Sequence, residues 1–498
     1  MWAVSDCFRP GENLLEIAGK IADPGEFERR QSDISDLLPA RWPEPRGELL
    51  GAVRRAGYLQ AGNGWRALRK LHWSKVILMD AASDFDKNPA HAQPDWPAAV
   101  VCSAFLTGLW AARDLERRGV RVTMIDCDRS VHGFRSTYAT TVECPNPDTD
   151  PDDWLGFMLD LARRLGGRPA LLVASDQFVA AVGRYADELA KVYEVARSAR
   201  VQAELSVKEG QARLAERHGL PVPRTGLAVS EEEALHVASS GLRFPLIMKP
   251  LQQRFWGAAG PGHPFHLAKA VEARDPDELR KQYRIAATLA PEVVLQELIP
   301  GADTEKRVYV GIYGRNGNKL GSLTLAELRC IHFGPPTVNE PIEDSEIARV
   351  CDSFFQAVGY QGVGEIELIW DRRDGIPKAL DINPRFTGAG TAAYYGGLPQ
   401  AWLVYLDLIG KPLLPVHQPL RLFRHTMMTT DVRAIREYWL AGKFRWADIV
   451  RTYRPPVYFW DLDWRDRRLS REVLYASFRV AAGTVLAMLG LRGAARRD

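Results

Sequence analysis

Apolar and polar residues alternate along two neighbouring stretches of the chain, 364–370 and 378–382, which a polar turn separates. Alternation with a period of two is typical of β-strands, so the two stretches predict a β-hairpin. Side chains on a strand point to opposite faces in turn, and pairing of these strands brings Glu367 and Asp381 onto one face. Asn383 lies two residues beyond Asp381 and therefore shares that face.

The three side chains on this face offer two carboxylates and one amide oxygen. Magnesium prefers hard oxygen ligands and leaves positions for water and phosphate, so the set favours a metal–nucleotide site. Arg385 follows the second strand, where a guanidinium can hold a phosphate or carboxylate through two hydrogen bonds. Glu365 either assists the metal or is exposed. Solvent-facing acids before an Asn-Pro turn are the alternative interpretation, but it does not explain acids grouped on one face of an apolar hairpin.

Upstream, short apolar runs alternate with amphipathic helical patterns. Strands and helices are predicted in the order 98–101, 106–118, 120–125, 154–165 and 170–174. Strand, helix, strand is the signature of a parallel sheet. The last run ends at Ser175 and Asp176, which are candidate substrate contacts because ligands gather at the carboxyl ends of parallel strands. A helix cap explains the same two residues. No GxGxxG follows the first strand, so a dinucleotide site has little support.

Two lysines between these regions are candidate phosphate ligands. Lys249 interrupts the apolar strand 244–250, and a buried ammonium is costly unless an anion compensates it. A lysine head reaching solvent at the strand end is the alternative. Lys208 begins a short amphipathic helix and is by itself a surface lysine. The glycine-rich run 252–266 suits a mobile flap whose backbone N–H groups cover phosphates.

At these residues the chain resembles the ATP-grasp superfamily, in particular carboxylate–amine ligases similar to D-aspartate ligase, biotin carboxylase and the carbamoyl-phosphate synthase large chain. The resemblance implies an α/β fold of the α+β ATP-grasp type, with a preceding parallel α/β domain, a lid and a metal-hairpin subdomain. A basic C-terminal helical segment is additional. The predicted units are an unassigned N-terminal extension at 1–96, the preceding domain at 97–200, the ATP-grasp domain at 201–414 with a lid at about 225–298, and the C-terminal segment at 415–498.

The resemblance also implies roles for individual residues. Phosphates of ATP would be bound by Lys208, Lys249 and, by a looser match, Lys269. The adenine hinge would be formed by Gln296, Glu297, Leu298 and Ile299, with Glu305 on the ribose. Mg²⁺ or Mn²⁺ would be held by Glu367, Asp381 and Asn383, and the catalytic residues would be Arg385 and Lys249. Arg307 and Arg329, on strands of the same half, could hold a substrate carboxylate or the transferred phosphate.

The implied activity is an ATP-dependent carboxylate–amine ligase that forms an amide through an acylphosphate. Its partners would be a small-molecule carboxylate and a small-molecule amine, and the sequence names neither, nor an oligomeric state. Two alternatives stay open. One is a bicarbonate-using enzyme of the biotin-carboxylase or carbamoyl-phosphate type, and the other is a non-catalytic, membrane-associated nucleotide-binding protein.

Composition narrows the class of protein. The chain has 498 residues, 46% hydrophobic and 26% charged, as expected for a soluble globular protein of about three domains. Its six cysteines include no CxxC pair, so we expect reduced thiols in a cytoplasmic protein and no zinc site. No signal peptide pattern begins the chain, and no apolar run predicts a membrane-spanning helix.

Basic charge is concentrated in the last part of the chain. Residues 421–498 contain sixteen Lys and Arg against eight Asp and Glu, whereas the whole chain has a net charge of only +3. A mostly apolar helix predicted at 473–491 is flanked by arginines, so residues 471–497 suit a peripheral contact with an anionic inner membrane surface. A helix packed on the protein core explains the same pattern. Nucleic-acid binding is not expected, because no known motif accompanies the charge.

Overall fold

The computed structural model describes residues 96–251, 256, 259–260, 262–266, 268, 270–301, 305–331, 336–416, 421–443, 445–454 and 456–488. The predicted N-terminal extension, Lys269 and much of the glycine-rich run lie outside these residues. The described residues form a mixed α/β fold with one parallel and two largely antiparallel sheets, so the predicted fold class is confirmed.

The first sheet is parallel and has the strand order β3-β2-β1-β4. Its strands are β1 (Ala99–Cys102), β2 (Val122–Asp126), β3 (Thr140–Glu143) and β4 (Ala170–Val173). The helices around it are α1 (Leu106–Glu116), α2 (Pro151–Leu165), α3 (Asp176–Arg184), α4 (Ala186–Leu189) and α5 (Ala199–Leu205), with a 3-10 turn at His132–Arg135. Strand β1 is wholly buried because helices cover both of its faces.

The second sheet is a small antiparallel unit preceded by helix α6 (Lys208–His218). Its strands β5 (Thr225–Ala228), β6 (Leu246–Pro250), β7 (Val271–Ala273) and β8 (Val293–Glu297) lie in the order β5-β8-β6-β7. Helices α7 (Glu231–Ser239) and α8 (Pro276–Ala286) complete it. Leu246, Met248 and Leu295 point into its core together with Trp256. This unit carries Lys249 and the hinge residues towards the central sheet.

The central sheet has seven strands in the order β13-β12-β9-β10-β11-β14-β15. Its first five strands along the chain are β9 (Lys306–Tyr313), β10 (Lys319–Cys330), β11 (Pro336–Ile342), β12 (Gly362–Asp371) and β13 (Ile376–Asn383). Helix α9 (Ser345–Ala357) covers one face through Phe354 and Phe355. Helices α10 (Ala392–Tyr395) and α11 (Gln400–Leu408) pack with α1 on the opposite face, which we call the site face.

The C-terminal segment is part of this sheet rather than a separate addition, which differs from the prediction. Strands β14 (Arg424–Thr426) and β15 (Val457–Phe459) extend the sheet beyond β11. Helices α12 (Met428–Leu440), α13 (Trp446–Thr452) and α14 (Arg467–Met488) belong to the same segment. Isolated three-residue strands carry little periodicity, so the sequence pattern did not predict them.

Helix α14 starts at Arg467, six residues before its predicted start. Its inner face buries Leu469, Val473 and Ser477, which are spaced four residues apart and so lie on one side of a helix. The core-packing interpretation therefore holds for this face. Within the described part of the chain, no helix has the length and hydropathy needed to cross a membrane.

A buried group of charges joins the C-terminal segment to the first sheet. Arg113 on α1 lies 3.0 Å from a carboxylate oxygen of Asp466 and 3.4 Å from one of Asp463, and its side chain is fully buried. Arg117, one helical turn later, lies 2.8 Å from the same oxygen of Asp463. The charges of the two arginines and the two aspartates neutralise each other in this buried position. Loss of one partner would leave a buried charge unpaired, which is strongly destabilising.

We predict that Asp466→Asn lowers the free energy of unfolding by about 3 kcal/mol, because it leaves Arg113 with one carboxylate fewer in a dry site. Urea unfolding of the purified protein measures this change. Asp160→Asn is the matched control, since Asp160 pairs with exposed Arg163 and should change stability by less than about 0.5 kcal/mol. Equal losses in the two variants would contradict the prediction.

Candidate active site

The predicted hairpin is present as β12 and β13, and its register brings the acids together. Glu367 lies directly opposite Asp381, and Glu365 lies opposite Asn383. Directly paired residues share a face, so all four side chains lie on the site face. A bulge follows Glu367, where the register shifts by one residue. Bulges re-aim side chains locally, and this one ends the acidic part of the hairpin.

The acid pair has the electrostatics of a cation site. Burial raises the pKa of Glu367, and the negative charge of Asp381 raises it further, whereas nearby lysines lower it. Two carboxylates and an amide oxygen are the donors that magnesium prefers, so the residues fit such an ion. Among the described residues, no group of three or more His, Cys, Asp or Glu has an arrangement that could hold a metal ion.

Glu365 is buried, which corrects the expectation that it could be exposed. Its side chain accepts a hydrogen bond of 3.1 Å from the Asn383 amide and another from the Thr387 hydroxyl. Burial raises its pKa to about 7, and the charge of Glu367 contributes. Strand alternation predicted the face on which Glu365 lies but not that this side chain is buried. The loop that contains Thr387 packs over the hairpin, and the sequence pattern does not indicate that contact.

Three lysines surround the acid pair. Lys208, at the start of α6, forms an ion pair with Asp381. Lys249 donates a hydrogen bond of 2.9 Å to the Gln296 side chain, and its pKa is lowered to about 8 by burial and then by the positive charge of Lys208. Lys306 on β9 acts electrostatically on both Glu367 and Lys249. Sequence reasoning missed Lys306, although its place at the start of a strand was a usable signal.

Arg385 connects the hairpin to the first sheet. Its guanidinium donates two hydrogen bonds, of 2.6 and 2.7 Å, to the carboxylate of Asp176, and a third of 3.2 Å to the Asn383 side-chain oxygen. Asp176 is the first residue of α3, directly after β4. The Ser175 side chain makes no capping hydrogen bond. Ser175 nevertheless occupies the N-cap position of α3, and the role of this strand end as a substrate contact stays a prediction.

A strained residue lies at the neighbouring strand end and was not predicted. Ser103 follows β1 and has a φ of 106°, a region that non-glycine residues rarely adopt. The Asp126 carboxylate accepts hydrogen bonds from the Ala104 amide at 2.8 Å and the Ser103 hydroxyl at 3.3 Å, which hold this conformation. Strained backbone between adjacent strand ends is typical of ligand sites in parallel sheets.

The hinge residues are in place, but several of their polar groups already have protein partners. The Glu297 carboxylate is buried and lies 3.0 Å from Arg243 and 3.3 Å from Arg373. The amides of Glu297 and Leu298 each donate a 2.9 Å hydrogen bond to backbone carbonyls. Recognition of adenine would therefore fall to other backbone groups of Leu298 and Ile299. The adenine role of this hinge stays a prediction.

Two other predicted contacts have protein partners. Glu305, predicted on the ribose, forms an ion pair with Arg372 at the hairpin turn. Arg329, a candidate for substrate anions, is buried and lies 3.2 Å from Asp431 of the C-terminal segment. Arg329 thus serves to attach α12, which sequence spacing could not indicate because Asp431 is about a hundred residues away. The ribose role of Glu305 stays a prediction.

No family model matches the chain. The alpha-aminoadipate–LysW ligase LysX of Sulfurisphaera tokodaii is 26% identical over 178 residues, which are 33% of this chain and 57% of that ligase. The D-aspartate ligase of Enterococcus faecium is 26% identical over 213 residues, which are 40% of this chain and 49% of that enzyme. The chain thus spans about half the length of the curated relatives it matches.

Solved structures agree on the fold. N5-carboxyaminoimidazole synthetase from Staphylococcus aureus, complexed with ADP, has a TM-score of 0.53 at 12% identity over 71% of this chain and 88% of its own. The N5-carboxyaminoimidazole ribonucleotide synthetase of Thermus thermophilus has a TM-score of 0.51 at 13% identity over 66% and 82%. At such identities the likeness shows the fold alone. The chain has the ATP-grasp fold, and the predicted resemblance to that superfamily is confirmed.

A buried histidine lies on the same face of the central sheet, on β14. The Thr391 hydroxyl donates to the Gly388 carbonyl at 2.7 Å and lies 2.8 Å from Nε2 of His425. Because that hydroxyl has one proton and uses it on Gly388, it accepts from His425, which is therefore protonated at Nε2. Burial lowers the pKa of His425 to about 3. The ring is consequently neutral in the folded protein near pH 7.

We predict an acid-sensitive contribution of His425 to stability. Its folded pKa of about 3 lies below the usual value of 6.5, so the unfolded chain binds the proton first and stability is lost as pH falls below 6.5. Between pH 7 and pH 5, His425 should lower the free energy of unfolding by about 2 kcal/mol. In urea unfolding, the loss of stability over this pH range should therefore be about 2 kcal/mol smaller for His425→Gln than for the parent protein. His236→Gln, on an exposed position of α7, is the control and should follow the parent; equal pH dependence in all three proteins would contradict the prediction.

Proposed function

We propose that the protein is an ATP-dependent carboxylate–amine ligase that forms an amide through an acylphosphate. The observation that carries this proposal is the acid pair Glu367 and Asp381 facing Lys208, Lys249 and Lys306 on one face of an ATP-grasp sheet. Lysines that could bind phosphate groups therefore lie beside carboxylates that could bind a metal ion. The two curated relatives are both named as ligases, which supports the same class of reaction.

The proposed binding roles follow from charge and burial. ATP phosphates would lie against Lys208 and Lys249, and the desolvation that lowers the pKa of Lys249 favours an anion beside it. Mg²⁺, or Mn²⁺, would be held by Glu367, Asp381 and Asn383 and would offset the negative charge of the phosphates. Arg385 would exchange its contact with Asp176 for the substrate carboxylate, because both are carboxylates and the guanidinium fork binds either one.

The reaction would proceed in two displacements. An oxygen of the substrate carboxylate attacks the γ-phosphorus of ATP, the bond to the β-phosphate oxygen breaks, and ADP leaves. The amine nitrogen then attacks the acyl carbon, the bond to the phosphate oxygen breaks, and the amide, phosphate and one proton are released. Lys208, Lys249 and Arg385 would stabilise the charge that develops on the transferred phosphoryl group, as cations held close to that group do effectively.

The test is release of ADP and phosphate from ATP and Mg²⁺ across amino acids and small carboxylates, supplied singly and in pairs. We expect release that needs one carboxylate and one amine, and a loss of at least a hundredfold in Asp381→Asn, because the metal pair then lacks one charge. Asp187→Asn, at an exposed surface pair with Arg200, is the matched control and should retain full activity.

Other results of this test would overturn the proposal. Release that requires bicarbonate and no amine would identify the biotin-carboxylase or carbamoyl-phosphate type of reaction instead. Normal turnover in Asp381→Asn, with an unchanged circular dichroism spectrum, would refute the metal assignment. Binding of Mg-ATP without turnover for any pair would favour a non-catalytic nucleotide-binding protein.

We also propose a cytoplasmic location with a peripheral contact to an anionic membrane through the outer face of α14. Tyr475 and Phe478 lie on that face and are 65% and 63% exposed. Arg471 and Arg479 are exposed beside them. Exposed aromatic rings between arginines suit the boundary between lipid headgroups and acyl chains. The remaining arginines of 489–497 lie outside the described residues.

This contact predicts sedimentation with vesicles that contain phosphatidylserine and weak sedimentation with phosphatidylcholine alone. The double variant Tyr475→Ser/Phe478→Ser should bind the anionic vesicles about tenfold less, because it removes the two exposed rings and leaves the arginines. Leu414→Ser/Leu422→Ser is the matched control, since both leucines are exposed and neither belongs to α14. Equal sedimentation of all three proteins would dispose of the membrane contact.

A further inference from the structure

A row of buried polar side chains crosses the far half of the central sheet. Glu327 on β10 lies directly opposite Asn339 on β11, and Asn339 lies directly opposite His425 on β14. Their exposed fractions are 1%, 3% and 1%. Residues directly paired in antiparallel strands share a face, so the three side chains lie side by side on one face. We call them the acceptor row.

The acceptor row lies on the site face. Leu325, two residues before Glu327, packs in the same core cluster as Val308, its partner on β9. Val308 is in turn the partner of Glu367 on β12. Because strand side chains repeat their direction every second residue, Glu327 and Glu367 face the same way. Only β9 separates their strands, so the two strands lie about 10 Å apart.

The row presents hydrogen-bond acceptors. His425 is protonated at Nε2 through its contact with Thr391, which leaves Nδ1 with a lone pair and no proton. Nδ1 of His425 and the side-chain oxygen of Asn339 are both buried, and neither has a hydrogen-bond partner among the described residues. Glu327 adds a carboxylate next to Asn339. Buried acceptors without partners are rare in folded proteins, so two in one row point to a ligand that donates.

The chemistry of the row selects an amine. A carboxylate or phosphate would bring further acceptors to Nδ1 of His425 and the Asn339 oxygen, whereas a primary amino group brings N–H donors for both. The site already described uses lysines and Arg385 for anions, so the two halves of the face have opposite preferences. That division matches a reaction between an anionic substrate and an amine.

One short loop links the two halves. Thr387 donates to Glu365 of the acidic hairpin, and the Gly390 amide donates to the Thr387 hydroxyl at 2.9 Å. Thr391, at the end of the same turn, accepts a hydrogen bond from Nε2 of His425. The loop therefore touches both the metal end and the acceptor row, and a substrate lying along it would reach from one to the other.

We infer that Asn339 and His425, beside Glu327, bind the amine substrate through its N–H groups. This inference rests on the proposed ligase function and adds the place and chemistry of its second substrate. His425 belongs to β14, so the C-terminal segment contributes directly to the choice of amine. Recognition would thus depend on a part of the chain that follows the predicted ATP-grasp domain of residues 201–414.

The test separates acyl activation from use of the amine. Hydroxylamine intercepts an acylphosphate as a hydroxamate and is small enough to need no binding row. Asn339→Leu should raise KM for the amine identified by the substrate panel about tenfold, because an acceptor for its N–H group is lost, while hydroxamate formation stays within twofold. Asn316→Leu, at the exposed turn between β9 and β10, is the matched control and should leave both rates unchanged.

The conservative variant Asn339→Asp keeps an acceptor oxygen at this position and should retain the parent KM for the amine within threefold. It also keeps the test decisive where Asn339→Leu folds poorly, which circular dichroism would reveal. An unchanged amine KM in Asn339→Leu, or an Asn339→Asp variant that is as impaired as the leucine variant, would overturn the inference. Absence of hydroxamate with every carboxylate in the parent protein would overturn the ligase function itself.

Discussion

The arrangement of the molecule depends on two partly buried carboxylates, Glu367 and Asp381, which lie side by side on one sheet. Like charges at such close range are unfavourable unless cations surround them. The chain supplies those cations from three directions, with Lys208 from α6, Lys249 from the small sheet and Lys306 from β9. Each of the three units must therefore be correctly placed for the site to be electrostatically balanced.

Pairs of opposite charges also connect these units to one another. Arg385 bridges from the hairpin to Asp176 at the first sheet, and Arg243 bridges from the small sheet to Asp374 at the hairpin turn. Such ion pairs orient units with respect to one another because the guanidinium fork is directional.

The C-terminal segment is attached firmly to the rest of the fold. It attaches through Arg113 and Arg329, both buried beside aspartates, and through two strands that lengthen the central sheet. A segment held by buried ion pairs and backbone hydrogen bonds is an integral part of the domain. It places His425 on the site face while leaving Tyr475 and Phe478 outside, so it contributes both to the buried side of the central sheet and to the exposed surface.

Local pattern by itself determined the hairpin, the parallel order of strands and helices in the first sheet, and the pairing of Glu367 with Asp381. These follow from periodicities of two and 3.6 residues, which are properties of neighbouring positions. Only the tertiary structure decided that Glu365 is buried, that Arg329 serves Asp431, and that Asn339 and His425 lie in one row. Those facts depend on contacts between residues that are distant in the chain, and a local sequence pattern carries no information about such contacts.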